Sequence, residues 1–357
     1  MSGLDTAALR DWLSRHFPED NGPDVALEAE PISGGQSNPT YFVTWGSRRL
    51  VLRRKPAGAI LPGAHAIERE FRVLRALEGT DVPVPRALVL EEDAEVLGTP
   101  FYVMERLEGR VFSDCALPGL RPEERRAMYL SMAETLAKLH AVRPEEVGLG
   151  DYGRPGGYFA RQLRRWSEQY AQSPSPRIPA LDRLIDWLPA NMPADDGAVS
   201  IAHGDFRLGN MMFHPTEPRV IAVLDWELST LGHPMGDLGF CVMPWQTAPD
   251  EYGGILGLDN AALGIPSREE FVAHYHAHDR LKAELTRFHR AFALFRFAVI
   301  FVGIADRAGA GNAASEEAAE LGPLAERFAI RAMQAAGLDP SGETEPSRET
   351  EVRKVVT

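Results

Sequence analysis

The sequence predicts an α+β protein of two lobes: a small, mixed and β-rich lobe over residues 1–107, then a larger, mainly helical lobe over 108–335. Residues 336–357 hold Pro, Ser, Gly, Glu and Lys with little apolar pattern and are expected to be a disordered tail. Three observations carry this reading. Up to about Gly109, short β-prone runs alternate with small-residue turns. Past Glu108, apolar residues recur at helical spacing over long windows. Within that helical region, residues 199–227 revert to short apolar runs that end in carboxylates. At 357 residues the chain can bury a large core, and two lobes are the natural division.

The N-terminus has no apolar signal core; Leu9, Leu13 and Phe17 instead recur at helical spacing. A strand ends near Ile32, Ser33 to Asn38 form a turn, and Tyr41–Trp45 and Leu50–Arg53 read as two further strands. Gly34 and Gly35 in that turn, with Ser37, would let backbone N–H groups approach an anionic ligand closely. A helix follows over 64–77, with Ile67, Phe71, Leu74 and Leu77 on its buried stripe. Val82-Pro83-Val84-Pro85 makes a rigid connector, and Phe101–Gly109 reads as a last strand running into a bend.

In the helical part, Pro122 opens a segment that places Met128, Met132, Leu136 and Leu139 on one face. Tyr158–Tyr170 carries Arg161 and Arg165 four residues apart, with Arg164 beside them. Either they are a solvated face paired with local glutamates or they form a cationic wall. Glu284–Arg307 reads as a long helix with Phe288, Phe292 and Phe295 spaced for packing. Its apolar stretch 291–305 is short for a membrane span and contains Arg296, which favours a buried core helix. His274, His276 and His278 alternate; on a helix His276 points away from the other two, so a surface cluster is expected rather than a zinc site.

Residues 201–227 carry the chemistry. After the β-prone Val199–Ala202, the turn His203-Gly204-Asp205 puts a carboxylate at a strand end, and Asn210 follows five residues later. Met211–Phe213 and Val220–Leu224 read as a hairpin that brings Asn210 close to Asp225. Phosphoryl transfer from a nucleotide needs such a set: one group to orient an attacking hydroxyl and oxygen ligands to hold magnesium against phosphates. A single carboxylate of this kind is usually a turn cap. The complete spacing is far more specific.

These motifs resemble the aminoglycoside phosphotransferase and choline kinase superfamily, which implies a protein-kinase-like fold. H-G-D-x-x-x-x-N matches at His203 to Asn210, L-D-W at Asp225, and G-x-P-x-x-D-L across Gly232 to Leu238. The resemblance implies that Asp205 is the catalytic base, that Asn210 and Asp225 bind Mg²⁺, and that Asp237 is structural. It implies ATP beneath Gly34, Gly35 and Ser37, with Arg53, where the family has lysine, near the α- and β-phosphates; Arg54 and Lys55 compete for that role. Glu70, or else Glu68, is the implied partner of the basic residue, and the backbone of Glu105, Arg106 and Leu107 would read the adenine edge. H-G-D-F-R-L-G-N and L-D-W-E-L-S-T-L-G look closest to the kinase-like domain fused to acyl-CoA dehydrogenases.

Composition narrows the partners. A net charge of −13 disfavours a bulk role on nucleic acid or an anionic membrane. Two cysteines give no disulfide framework or metal pattern, in keeping with a cytoplasmic protein. The expected partner is a small molecule bearing a hydroxyl; the arginine-rich segment points to an anionic one such as a hydroxyacyl-CoA. A nucleotide-binding pseudokinase and a true aminoglycoside kinase are the competing readings.

Overall fold

The computed structural model describes residues 4–20, 22, 25–32, 38–56, 66–309 and 322–340. The expected glycine turn with Gly34, Gly35 and Ser37 lies outside them, as do residues 341–357 of the expected tail. The N-terminal part is an antiparallel sheet of order β1-β2-β3-β5-β4, formed by Leu27–Pro31, Thr40–Trp45, Arg48–Arg54, Phe101–Glu105 and Ala87–Glu91 (β4). Period-2 alternation decides which side chains face where: Tyr41, Val43 and Trp45 of β2 all turn to one face.

That face is covered by α1 (Thr6–His16). The helix starts because the Asp5 carboxylate accepts from the N–H groups of Ala7 and Ala8, both at 3.0 Å. Its Leu9, Trp12 and Leu13 are buried against the sheet, with Trp12 edge-on to Phe101 at 4.9 Å. Fully burying a side chain such as Leu13 contributes about 2 kcal/mol. On the other face lies α2 (Ile67–Leu77), where Ile67, Val73, Leu74 and Leu77 meet Tyr102 and Ala87 and join the core of the larger lobe. The sheet therefore separates two hydrophobic cores. Phe71, expected on the buried stripe, is only half-buried; the inward positions belong to Val73 and, unusually, Glu70.

The larger lobe contains α4 (Pro122–Ala141), α5 (Tyr158–Ala171) and α6 (Pro179–Ala190), after the short α3 (Ala94–Leu97) of the sheet lobe. Two antiparallel ribbons follow: β6 (Ser200–Ala202) with β9 (Thr230–Gly232), and β7 (Met211–Phe213) with β8 (Val220–Val223). Then come α7 (Pro234–Cys241), α8 (Asn260–Leu263), α9 (Arg268–His278), α10 (Arg287–Gly309) and α11 (Leu324–Ala336), the last closed by Gly337 at φ +77°. The long helix α10 begins at Arg287 rather than Glu284, because the Thr286 N–H donates to Nδ1 of His289 at 3.0 Å and closes the helix start. By length and composition α10 could cross a membrane, but 72% of its apolar window is buried within this lobe, as a core helix requires.

Candidate active site

The short strand β6 is wholly buried and delivers His203, Gly204 and Asp205 to the inter-lobe face. Gly204 has φ +83°, and a Cβ there would stand 2.7 Å from the Leu228 carbonyl oxygen, so the turn requires glycine. Asp237 on α7 holds the turn from behind. Its carboxylate accepts from the His203 N–H at 2.6 Å and the Gly204 N–H at 2.9 Å. Burial works against the Asp237 charge, yet the His140 contact and these amides hold its carboxyl below the usual range. His140 lies between Tyr275 and Asp237, with Nδ1 2.8 Å from the Tyr275 hydroxyl and Nε2 3.5 Å from the carboxylate. Arg296 of α10 donates to the Gly204 carbonyl at 2.6 Å. His203 braces the loop internally. Its Nδ1 accepts from the Asp205 N–H at 3.2 Å, which places the ring proton on Nε2, facing the Leu224 carbonyl at 2.9 Å.

Asp205 itself is partly open, its side chain 22% exposed. Asn210 donates through Nδ2 to the Asp205 carbonyl at 2.9 Å and to its Oδ2 at 2.8 Å. That fixes the amide orientation and leaves the Asn210 Oδ1, without a partner among the described residues, as the end for a ligand. The Leu224 N–H donates to the Asn210 carbonyl at 2.8 Å, so the residue before Asp225 is tied to Asn210 across the β7–β8 ribbon. Asp225 adopts φ +62°, a left-handed conformation that aims its carboxylate out of the strand line. The expected juxtaposition of Asp205, Asn210 and Asp225 is thus present.

From the sheet lobe, Arg53 on β3 reaches the same place. Its terminal nitrogen lies 2.9 Å from Oδ1 of Asp225 and 3.9 Å from Glu227, while its Nε stands 2.8 Å from Glu70. The last contact lacks hydrogen-bond alignment and acts as an ion pair. Glu70 is otherwise satisfied by Asn38 Nδ2 at 2.8 Å and the Tyr102 hydroxyl at 3.1 Å. Burial pushes its carboxyl up to about 7, against the pull of Arg53 and with the help of Asp225 and Glu227. Burial would lower the Arg53 guanidinium, but Glu70, Tyr102 and the two other carboxylates outweigh it and raise it. Lys55 pairs with Glu68 instead, so two of the sequence alternatives form a pair of their own.

Arg207 was not singled out from the sequence, yet its Nε sits 3.2 Å from Oδ2 of Asp205 and its guanidinium lies near the Tyr252 ring. A cation two residues after the loop carboxylate was the available signal. At the bend after β5, the N–H groups of Glu105 and Arg106 already donate to Arg86 and Arg49 carbonyls, at 2.9 and 3.1 Å. The Leu107 N–H has no such partner among the described residues. The arginine helix α5 is less uniform than its sequence. Arg161 turns its guanidinium onto the Arg154 and Gly156 carbonyls, leaving Arg164 and Arg165 exposed.

The oxygen donors of Asn210 and Asp225, hard and uncharged or anionic, suit Mg²⁺ rather than a soft metal. With Arg53 alongside, the set can neutralise a polyphosphate while Asp205 faces an incoming hydroxyl.

Comparison with known proteins shows the family and the fold. Residues 28–283 match the model of the phosphotransferase enzyme family. Acyl-CoA dehydrogenase family member 10 of Mus musculus is 42% identical over 307 residues, 85% of this chain. The chain spans only 28% of that relative's length. A solved protein of Ralstonia eutropha JMP134, provisionally named an aminoglycoside phosphotransferase, is 46% identical, with a TM-score of 0.84 over 94% of this chain and 98% of its own. An aminoglycoside phosphotransferase solved with AMP-PNP and hygromycin B shares the fold alone, at 15% identity and a TM-score of 0.60, over 91% of this chain and 98% of its own.

Proposed function

The chain belongs to the phosphotransferase enzyme family of kinase-like fold, and from that membership we propose that it transfers the γ-phosphoryl group of ATP to a hydroxyl of a small molecule. One observation carries the proposal: a half-open carboxylate, Asp205, oriented by Asn210 and flanked by Arg207, beside an Asp225 reached by Arg53 from the other lobe. When bound, Mg²⁺·ATP supplies the phosphoryl group and a divalent charge, with Asn210 Oδ1 and Asp225 as the protein's ligands. Asp205 orients the acceptor hydroxyl and takes its proton as the oxygen–phosphorus bond forms and the bond to the leaving diphosphate breaks. Arg207 and Arg53 place positive charge where negative charge accumulates. Because such a transition state is loose, positioning and charge matter more than the basicity of Asp205. The Leu107 N–H is the backbone donor available for the adenine edge.

For the acceptor, an acyl-CoA-type hydroxyl compound is favoured over an aminoglycoside by two things: the exposed Arg164 and Arg165, and relatives named as acyl-CoA dehydrogenase family members. The test is an ATP-consumption screen over hydroxylated metabolites, including hydroxyacyl-CoA thioesters and kanamycin, run with wild type and Asp205→Asn. Turnover of a hydroxyacyl-CoA that vanishes in the variant supports the proposal. Robust kanamycin turnover would overturn the acceptor reading, and ATP binding without turnover of any acceptor would favour a pseudokinase.

A further inference from the structure

The alternating histidines of α9 gain a partner that no local pattern could supply. Glu134, on α4, places Oε1 2.8 Å from Nε2 of His274. His278, one turn further along α9, stacks its ring 4.7 Å from that of His274. One ligand atom from each of the three residues lies within 4.8 Å of the others. His276 is turned away, with Nδ1 3.7 Å from Asp279.

We propose that Glu134, His274 and His278 form a site for one divalent ion of the zinc class, clamping α4 to α9. This reverses the expectation of a plain surface cluster, and it is independent of the proposed phosphoryl chemistry. Two imidazoles and a carboxylate are a zinc-type donor set, with a fourth position left for water. Mg²⁺ prefers oxygen ligands and would compete poorly here. The ring orientation suits the task. Nδ1 of His278 faces the His274 carbonyl at 2.9 Å; a carbonyl only accepts, so the proton is on Nδ1 and Nε2 keeps its lone pair. A backbone carbonyl holding the distal N–H in this way is the usual support of a metal-binding histidine. Between His274 and Glu134 the ion would take the place of the shared proton. Side-chain exposures of 27% for His274 and 37% for Glu134 leave an entry path.

The site is also coupled to the catalytic loop by position. Tyr275, the residue after His274, faces inward and holds His140, which contacts Asp237.

The test uses the full chain without an affinity tag, stripped of metal and kept in millimolar MgCl₂, titrated calorimetrically with ZnCl₂. One equivalent should bind, with affinity lowered at least ~10-fold by His274→Ala and by His278→Ala. Glu134→Gln, which keeps the shape and a hydrogen bond, should weaken binding as well. Zinc should raise the melting temperature of the wild type and not that of the H274A/H278A double variant. Because His278 is exposed, its replacement leaves the packing intact, and circular dichroism checks this. Equal zinc affinity in wild type and double variant, or no binding to the wild type above the Mg²⁺ background, overturns the proposal.

Discussion

The loop at 203–210 and the cluster around Arg53 are both charged and meet at one cleft, but they are built differently. The loop is gripped from within its own lobe by groups almost wholly out of water: Asp237 at 1% exposure, His140 at 2% and Arg296 at 8%. The Arg53 cluster crosses between lobes, and its outer carboxylates are wetter, Asp225 at 37% and Glu227 at 24% of their side chains. Removing a partner from a buried charged network costs several kcal/mol, whereas exposed ion pairs contribute about 0–1 kcal/mol. The difference teaches a division of labour. On the proposed reading, the geometry offered to an acceptor hydroxyl is locked, while part of the charge offered to phosphates sits in half-open pairs.

The largest effect that would sharpen this contrast is at Asp205. Asp205→Asn should lower turnover about 10³-fold while Mg²⁺·ATP affinity changes only a few-fold, by equilibrium binding of a fluorescent nucleotide. Near-normal turnover would remove Asp205 from the proposed role. Asp237→Asn comes next. Its new amide cannot accept from both the His203 and Gly204 N–H groups, so denaturant unfolding should show a loss of about 2 kcal/mol together with lower kcat. Asp225→Asn should instead raise the KM for ATP about 10-fold with a much smaller stability loss, because its pair with Arg53 is half-open to water. If it destabilises as much as Asp237→Asn, the contrast between locked and half-open regions fails.

A subtler test concerns pH. Burial holds His289 down to about 3 and lowers His233 as well, the two rings stacked 5.9 Å apart. A depressed histidine stabilises the fold above its unfolded value of about 6.5, and that stability is lost as pH falls toward 3. The slope for His289 is about 1.4 kcal/mol per pH unit below 6.5. Glu70, raised to about 7, works the opposite way: its burden on the fold grows as pH rises through the range between its unfolded and folded values. The informative quantity is therefore the difference between wild type and His289→Gln in unfolding series from pH 7 to about 5. Identical slopes would refute the assignment. Smallest of all, replacing Arg164 and Arg165 by alanine should raise the acceptor KM a few-fold and blunt its salt dependence, with the ATP KM unchanged.

Much of this was legible because it is local. The spacing from His203 to Asp225 encodes strand, turn and hairpin directly, and the two lobes follow from a change of apolar period near Glu108. Arg53 and Glu70 were legible through a strand end and the first turn of a helix, although Glu68 stayed a rival until the burial of Glu70 separated them. Contacts made at long range were not. Nothing near Gly204 announces Arg296, and nothing near His274 announces Glu134, because tertiary packing alone joins them. Arg161 misled for the opposite reason: helical periodicity grouped it with Arg165, while a turn seven residues upstream claimed its guanidinium.

The Arg296 bond to the Gly204 carbonyl also orders events in time. During synthesis the ribosome releases His203, Gly204 and Asp205 some 92 residues before the arginine that pins them. Asp237 arrives about a third of the way through that interval, and His140 has by then been waiting since long before. The last of the loop's contacts is therefore a late, non-local closure. A nascent or C-terminally clipped chain ending before α10 would carry every motif residue from His203 to Asp225, with Asp237 and His140 behind them, and still lack the Arg296 contact that pins the Gly204 carbonyl.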